Sequence, residues 1–184
     1  STPDRPETGY WYIQAGATAD EWGARTIARF VEKPDLITAE SYLQAGDYLW
    51  NSGLFVLRAS VWLKALALCR PDILAACNAA WKQGASDPPF IRAATNAFAA
   101  CPSDSIDYAV MERLAGAQAV DGLPPGIVVP LSAGWSDVGA WDALWQILPK
   151  DGDGNVVQGR TLMEGSRDTL ALSSGRLLAC VGVQ

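Results

Sequence analysis

The stretch Thr26-Ile27-Ala28-Arg29-Phe30-Val31-Glu32-Lys33-Pro34 decides the fold class. It alternates in part between apolar and polar residues and stops at a proline, which has no N–H for a ladder, so it reads as a strand over 26–32. Helical chemistry follows at once: Thr38 as an N-cap, a short helix over 39–45 and Gly46 to close it. Upstream, Gly9-Tyr10-Trp11-Tyr12-Ile13-Gln14 is aromatic and β-branched and reads as another strand, with a turn across 17–25 between the two.

Downstream the alternation continues. Leu54-Phe55-Val56-Leu57 reads as a short buried strand, and Ser60 as the cap of a helix with Trp62, Leu63 and Leu66 on one face. Pro71 restarts a helix through Trp81. A loop over 84–89 and an Ala-rich helix around 91–100 come next, then a helix capped by Ser105 with Ile106, Val110 and Leu114 at four-residue spacing. Residues 127–131 read as a strand, and Val138, Trp141, Trp145 and Leu148 as one face of a helix closed by Pro149. Strands alternating with helices predict an α/β domain over 1–149. After Pro149 the texture changes to short strands separated by Gly and Ser, so residues 150–184 are expected to begin a separate β-rich segment.

Composition bounds the chemistry. Hydrophobic residues make up 49% of the 184, enough for a core, and charged ones 18%. The net charge of -6 argues against a nucleic-acid partner, which needs a basic footprint. No apolar run reaches the roughly 18 residues of a membrane span, and no signal-peptide pattern opens the chain, so a cytoplasmic protein without membrane contact is expected. The absence of histidine removes Ser-His-Asp and Cys-His catalysis, and His metal sites, from these residues. Cys69, Cys77, Cys101 and Cys180 form no C-x-x-C pair and read as small buried hydrophobes. The run Asp151-Gly152-Asp153-Gly154-Asn155 fails as a calcium loop, because Val156 stands where Gly is needed and Leu162 where a bidentate Glu is needed. A polar turn is the better account.

Neither a dinucleotide fingerprint nor a Walker loop occurs. Four compact clusters remain, at Glu7-Thr8-Gly9-Tyr10, at Phe30 to Pro34, at Trp50-Asn51-Ser52-Gly53-Leu54-Phe55, and at Gly134-Trp135-Ser136-Asp137-Val138-Gly139. Pro34 breaks the strand after Glu32 and Lys33, which lets both tips reach one cavity, a cation suited to a phosphate and a carboxylate suited to sugar hydroxyls. The alternative is a solvated pair at a strand end. Asn51 can donate to and accept from vicinal hydroxyls, or hold a turn through its own backbone. Thr8 and Gly9 offer a hydroxyl and an open backbone, or merely a strand entry. Asp137 is either the N-cap of the following helix or a ligand for Mg²⁺.

Taken together and in this order, the clusters resemble bacterial mannose-1-phosphate guanylyltransferases, including the bifunctional kind that also isomerises mannose 6-phosphate. Ser105-Ile106-Asp107-Tyr108-Ala109-Val110-Met111-Glu112 and the turn and strand over 151–159 add two further matches. The resemblance implies a Rossmann-like nucleotidyltransferase fold that joins mannose 1-phosphate to GTP, with Mg²⁺, and releases pyrophosphate. It implies that Glu7, Thr8 and Gly9 line the sugar pocket, Glu32 binds sugar hydroxyls, Lys33 the sugar phosphate and Asn51 the mannose. Asp137 would hold the metal ion, and Asp107 would orient the pocket or brace its helix. Lys33 and Asp137 are the residues expected to carry catalysis.

Departures from the family pattern are Trp11 in place of Gly, Leu54 in place of Met and Ala140 in place of Ser. The Gly-rich nucleotide-binding loop and an upstream metal-binding Asp are also missing, and the chain begins at Ser1 without Met. The chain is therefore expected to be the sugar-phosphate half of a catalytic domain plus the start of a β segment. It is expected to be inactive alone and, with a strand edge uncovered, prone to homo-oligomerise. A pyrophosphorylase for another hexose 1-phosphate, and a non-catalytic sugar-phosphate-binding module, are the alternatives.

Overall fold

In a computed structural model of the chain, residues 1–116 and 120–184 are described, and they divide into two compact units, Ser1–Ala133 and Gly134–Gln184. The division falls earlier than the expected 149/150, so the Gly134-to-Gly139 cluster and the following helix go with the β-rich segment.

The first unit is built on an antiparallel sheet of four strands, β1 (Tyr12–Thr18), β2 (Arg25–Val31), β3 (Tyr48–Trp50) and β6 (Ile127–Val128), in the spatial order β3-β1-β2-β6. β1 and β2 form a hairpin whose turn lies over 19–24, inside the expected 17–25 and shorter than it at both ends. Asp20 accepts hydrogen bonds from the Trp22 and Ala24 amides, both at 2.9 Å, and so folds the turn on its own side chain. β6 is two residues long rather than five, since Pro125 and Pro130 flank it and neither can donate to a ladder.

Between β2 and β3 runs α1 (Leu36–Ala45). Its N-cap is Asp35, which accepts from the Thr38 amide at 2.8 Å; Thr38 is the donor of that bond, not the cap. The same bond holds the Asp35 carboxyl below its usual pKa. Gly46 closes the helix at φ 71°, a conformation that costs residues with a Cβ.

Residues 54–57 are not a buried strand. Leu54 is 69% and Val56 100% exposed, and the stretch joins no ladder. β3 is the edge of the sheet, and among the described residues no strand lies beyond it to pair with.

α2 (Ala59–Cys69) starts after Arg58, so Ser60 lies inside its first turn rather than capping it. Ala65, Leu66 and Cys69 are buried and Trp62 packs against them, while Leu63 is half exposed. The inward stripe is thus 62, 65, 66 and 69, a true helical face that includes the small residues. α3 (Pro71–Lys82) begins at its proline as expected.

The expected loop at 84–89 is a hairpin of β4 (Ala85–Asp87) and β5 (Phe90–Arg92), with two prolines occupying its turn. β5 takes up the start of the expected Ala-rich helix, which is reduced to α4 (Thr95–Ala99). α5 (Ile106–Ala109) is capped by Ser105, whose Oγ accepts from the Tyr108 amide at 3.2 Å. It stops after one turn, where Val110 swings to φ -136°, and a 3₁₀ turn over Met111–Leu114 follows.

Among the described residues, two clusters of buried side chains hold elements of this unit together. Ala65, Leu66, Cys69, Ala109 and Val110 join α2 to α5, and Ile13, Ile27, Phe30 and Ala115 pack on the sheet. Cys69 alone of the four free cysteines is buried; the others are half-buried.

The second unit opens with α6 (Trp141–Ile147), on which Trp141 is exposed and Trp145 donates from Nε1 to the Gly154 carbonyl at 2.9 Å. Its β-rich part is parallel: β7 (Val156–Gln158) pairs with β9 (Leu170–Leu172), and β8 (Thr161–Glu164) with β10 (Leu178–Val181). The chain therefore makes two successive rungs that stack strand on strand. Gly159, at φ 82°, lets the rungs close, since a Cβ there would stand 1.9 Å from the Ser173 carbonyl oxygen. Buried Asn155 ties the rungs together, accepting from the Thr169 amide at 3.1 Å and donating to the Ser166 carbonyl at 3.0 Å. Asp151 accepts from the Asp153 and Asn155 amides, which confirms the 151–155 run as a polar turn.

Candidate active site

Strand register gathers the predicted residues of the first unit. Tyr12 pairs with Trp50 on one side and Val31 on the other. One residue further along each strand, Trp11 lies between Asn51 and Glu32 at one end of the sheet. Neighbouring strands are about 4.8 Å apart, so Asn51 and Glu32 flank this end at a backbone separation of about 10 Å.

Asn51 has both ends of its amide engaged. Its Oδ1 accepts from the Gly53 amide at 3.1 Å, and its Nδ2 donates to Asp107 Oδ1 at 2.8 Å. The backbone amide of Asn51 donates to the Trp11 carbonyl at 2.8 Å, extending the ladder by one bond. The turn-holding role and a fixed, outward-usable amide are therefore the same arrangement: one Nδ2 hydrogen and acceptor capacity on Oδ1 remain. Tyr108, next to Asp107, meets Trp11 edge-on at 4.8 Å. The Trp11 that departs from the family pattern thus braces α5 against β1.

The loop with Glu7, Thr8 and Gly9 precedes β1 rather than entering it. Tyr12, fully buried, donates from its hydroxyl to the Glu7 carbonyl at 2.9 Å and accepts from the Glu7 amide at 3.0 Å. The Glu7 carboxylate accepts from the Gly9 amide at 3.0 Å and lies 3.4 Å from Arg5. Arg5 lies over the Trp50 ring at 5.1 Å and Tyr10 meets its edge at 5.2 Å, which seats the loop beside Asn51.

Glu32 and Lys33 lie just past the end of β2, both exposed. Lys33 has φ 32°, a left-handed conformation uncommon outside glycine. Among the described residues its ammonium pairs with no carboxylate, so the two do not form a solvated ion pair.

Sequence reasoning missed a role for Glu112. Burial raises the pKa of its carboxyl, and the nearby charges of Glu32, Asp107 and Asp104 raise it further. Residues five apart point about 140° from each other on a regular α-helix. The break at Val110 is what turns Glu112 toward Asp107's side, and nothing in the periodicity announces that break.

Asp137 belongs to the second unit. The N-cap of α6 is Ala140, three residues on, so helix capping is not the role of Asp137. Among the described residues no group of three metal-ligating side chains occurs. A single exposed carboxylate fits an ion whose other ligands are substrate phosphates and water, not one caged by protein.

An apolar cleft of about 470 Å³ lies between residues 54–65 on one side and 110–114 and 123–127 on the other, lined by Leu54, Trp62, Val110 and Ile127 among others, with Arg58 the one charged residue among the described residues that line it.

Residues 1–154 match the nucleotidyl transferase family. The chain belongs to that family. This nucleotidyl transferase chain is 48% identical over 182 residues to the xanthan biosynthesis protein XanB of Xanthomonas campestris pv. campestris strain B100, covering 99% of the chain and 36% of that protein. It is 46% identical over 185 residues to a mannose-1-phosphate guanylyltransferase of Escherichia coli, covering 99% of the chain and 37% of that protein. Among solved structures, one described as a mannose-1-phosphate geranyltransferase from Thermus thermophilus is 29% identical with a TM-score of 0.77, covering 99% of the chain and 49% of that one. The chain thus spans just over a third of the length of the curated relatives it matches. The resemblance read from the residues and the expected nucleotidyltransferase fold are both borne out. No helix among the described residues is long and apolar enough to cross a membrane.

Proposed function

We propose that this chain supplies the sugar-phosphate side of a mannose-1-phosphate guanylyltransferase, in which mannose 1-phosphate attacks GTP to give GDP-mannose and pyrophosphate. The observation that carries the reading is the Asn51–Asp107 hydrogen bond at the sheet end flanked by Glu32. It joins residues from two separate clusters of the resemblance. The attacking group is a phosphate oxygen, already anionic, so a site without histidine suffices and the work is alignment and charge neutralisation. Glu32 accepts from sugar hydroxyls, and Asn51, its orientation fixed by Asp107, reads a neighbouring pair. Lys33 meets the sugar phosphate, and the loop of Glu7, Thr8 and Gly9 closes the sugar's other side.

Asp137 is the residue of this chain that would hold Mg²⁺, which when bound neutralises phosphate charge. Asp137→Asn keeps the shape and removes the charge. It is expected to lower kcat by about a hundredfold, the scale of losing one charge-stabilising contact.

The test is product analysis on the full-length protein with GTP and several hexose 1-phosphates. GDP-mannose and pyrophosphate from mannose 1-phosphate are expected. Preference for another hexose assigns the site to that sugar, and no nucleotidyl transfer at all leaves the binding-module alternative.

A further inference from the structure

We infer that Arg70 is a positioning residue for the sugar site, acting through Asp104 and α5 on the Asp107–Asn51 hydrogen bond. The inference rests on the proposed sugar-phosphate role of Asn51. Arg70 stands at the elbow between α2 and α3, its amide closing the first helix on the Leu66 carbonyl at 2.8 Å. Its guanidinium grips Asp72 with two parallel bonds, Nε to Oδ1 at 3.0 Å and Nη2 to Oδ2 at 2.8 Å. That pair alone would be a local surface bridge of small consequence. The third contact changes its meaning: Nη1 bonds the Asp104 carboxylate, 34 residues away.

From Asp104 the chain of contacts runs directly to the site. Its other oxygen accepts from the Ser105 amide at 2.9 Å, and Ser105 caps α5 through the Tyr108 amide. Asp107 lies in the first turn of that four-residue helix and holds Asn51 at 2.8 Å. A helix this short has little stability of its own, so its placement depends on what ties its ends. Arg113 provides the far tie, donating to the Cys69 carbonyl at 3.0 Å at the same elbow. Arg70 is 19% and Asp104 24% exposed at the side chain, so this pair is less screened than an open surface bridge. A planar guanidinium can hold one carboxylate with two nitrogens and reach a second with the third. Lysine has one charged atom and cannot.

The experiment uses the full-length protein. Arg70→Lys keeps the charge and breaks the fork; Asp104→Asn removes the partner's charge and is the second variant should the first fold poorly. Each is expected to raise KM for mannose 1-phosphate about five- to twentyfold, within the range of coupling between groups in one network, and to leave KM for GTP within about twofold. In an Asn51→Ala background, Arg70→Lys is expected to add nothing. A purely structural role would instead multiply the two effects or raise both KM values together, and either result overturns the inference. Hydrogen exchange at the Tyr108 and Ala109 amides, measured without substrate, is expected to accelerate in Arg70→Lys, and wild-type exchange there also overturns it. Should the wild type use a different hexose 1-phosphate, the proposed substrate fails and the same KM comparison is made with that sugar. Should it transfer nucleotide to none, the exchange result alone decides for or against Arg70.

Discussion

Asn51 and Asp107 are 56 residues apart in sequence and joined by a 2.8 Å hydrogen bond at the end of the sheet. The carboxylate of Asp107 fixes one amide hydrogen of Asn51 and the Gly53 amide fixes its oxygen, so the side chain cannot flip without breaking two bonds. A hydrogen bond to a charged group is worth about 1.5–3 kcal/mol. Asp107→Ala is therefore expected to raise KM for mannose 1-phosphate about tenfold or more, with a smaller effect in Asp107→Asn, which keeps an acceptor. Steady-state kinetics with each substrate varied checks this.

Lys33 is held in a left-handed conformation that costs a residue with a Cβ roughly 1–2 kcal/mol. Strain of this kind persists where the surrounding structure holds it, and it clusters at functional sites. Lys33→Gly is expected to be more stable than Lys33→Ala by about 1 kcal/mol, while both lose the same sugar-phosphate affinity. Denaturant midpoints and ligand titration of the two variants separate backbone from side chain.

Glu112 sets a pH dependence. Burial, then Glu32, Asp107 and Asp104, raise its pKa in the folded chain, so the native state holds its proton more tightly than the unfolded chain does. Stability from this group falls as pH rises past the ordinary glutamate value and stays lowered above the native one. Glu112→Gln is expected to raise Tm at pH 7, with the gain vanishing below about pH 4 where the unfolded glutamate is also protonated. Thermal melts at the two pH values give the answer.

Asn155 is 2% exposed and bonds the Thr169 amide and the Ser166 carbonyl across two rungs of the parallel segment. Asn155→Ala leaves both backbone groups unsatisfied, at about 1–3 kcal/mol each. A loss of about 2–6 kcal/mol in the unfolding of the second unit is expected, read from urea titration followed by the fluorescence of Trp145.

Much of the fold was legible in local chemistry. β2 ending before Pro34, α3 starting at Pro71, the Ser105 cap and Gly46 all follow from the residues that start and stop elements. What local patterns missed are decisions made by distant partners. Leu54 to Leu57 have strand composition, but a strand needs a neighbour, and β3 is the edge. The parallel pairing of β7 with β9 and β8 with β10 joins residues 14 to 17 positions apart, beyond any local pattern. In the site, Asn51, Asp107 and Glu32 came from clusters whose joint order carried the resemblance. Glu112 and Arg70 were invisible, because one needs the helix break at Val110 and the other a contact across 34 residues.

On the proposed reading, the sheet end beyond β2 and β3 receives the sugar phosphate. The pair of KM values in Lys33→Ala, made in the full-length protein, tests this. A KM for mannose 1-phosphate raised at least tenfold is expected, the scale of losing a charge-assisted contact, with KM for GTP nearly unchanged. An equal rise for both substrates, or a rise for GTP alone, would place the sugar phosphate elsewhere.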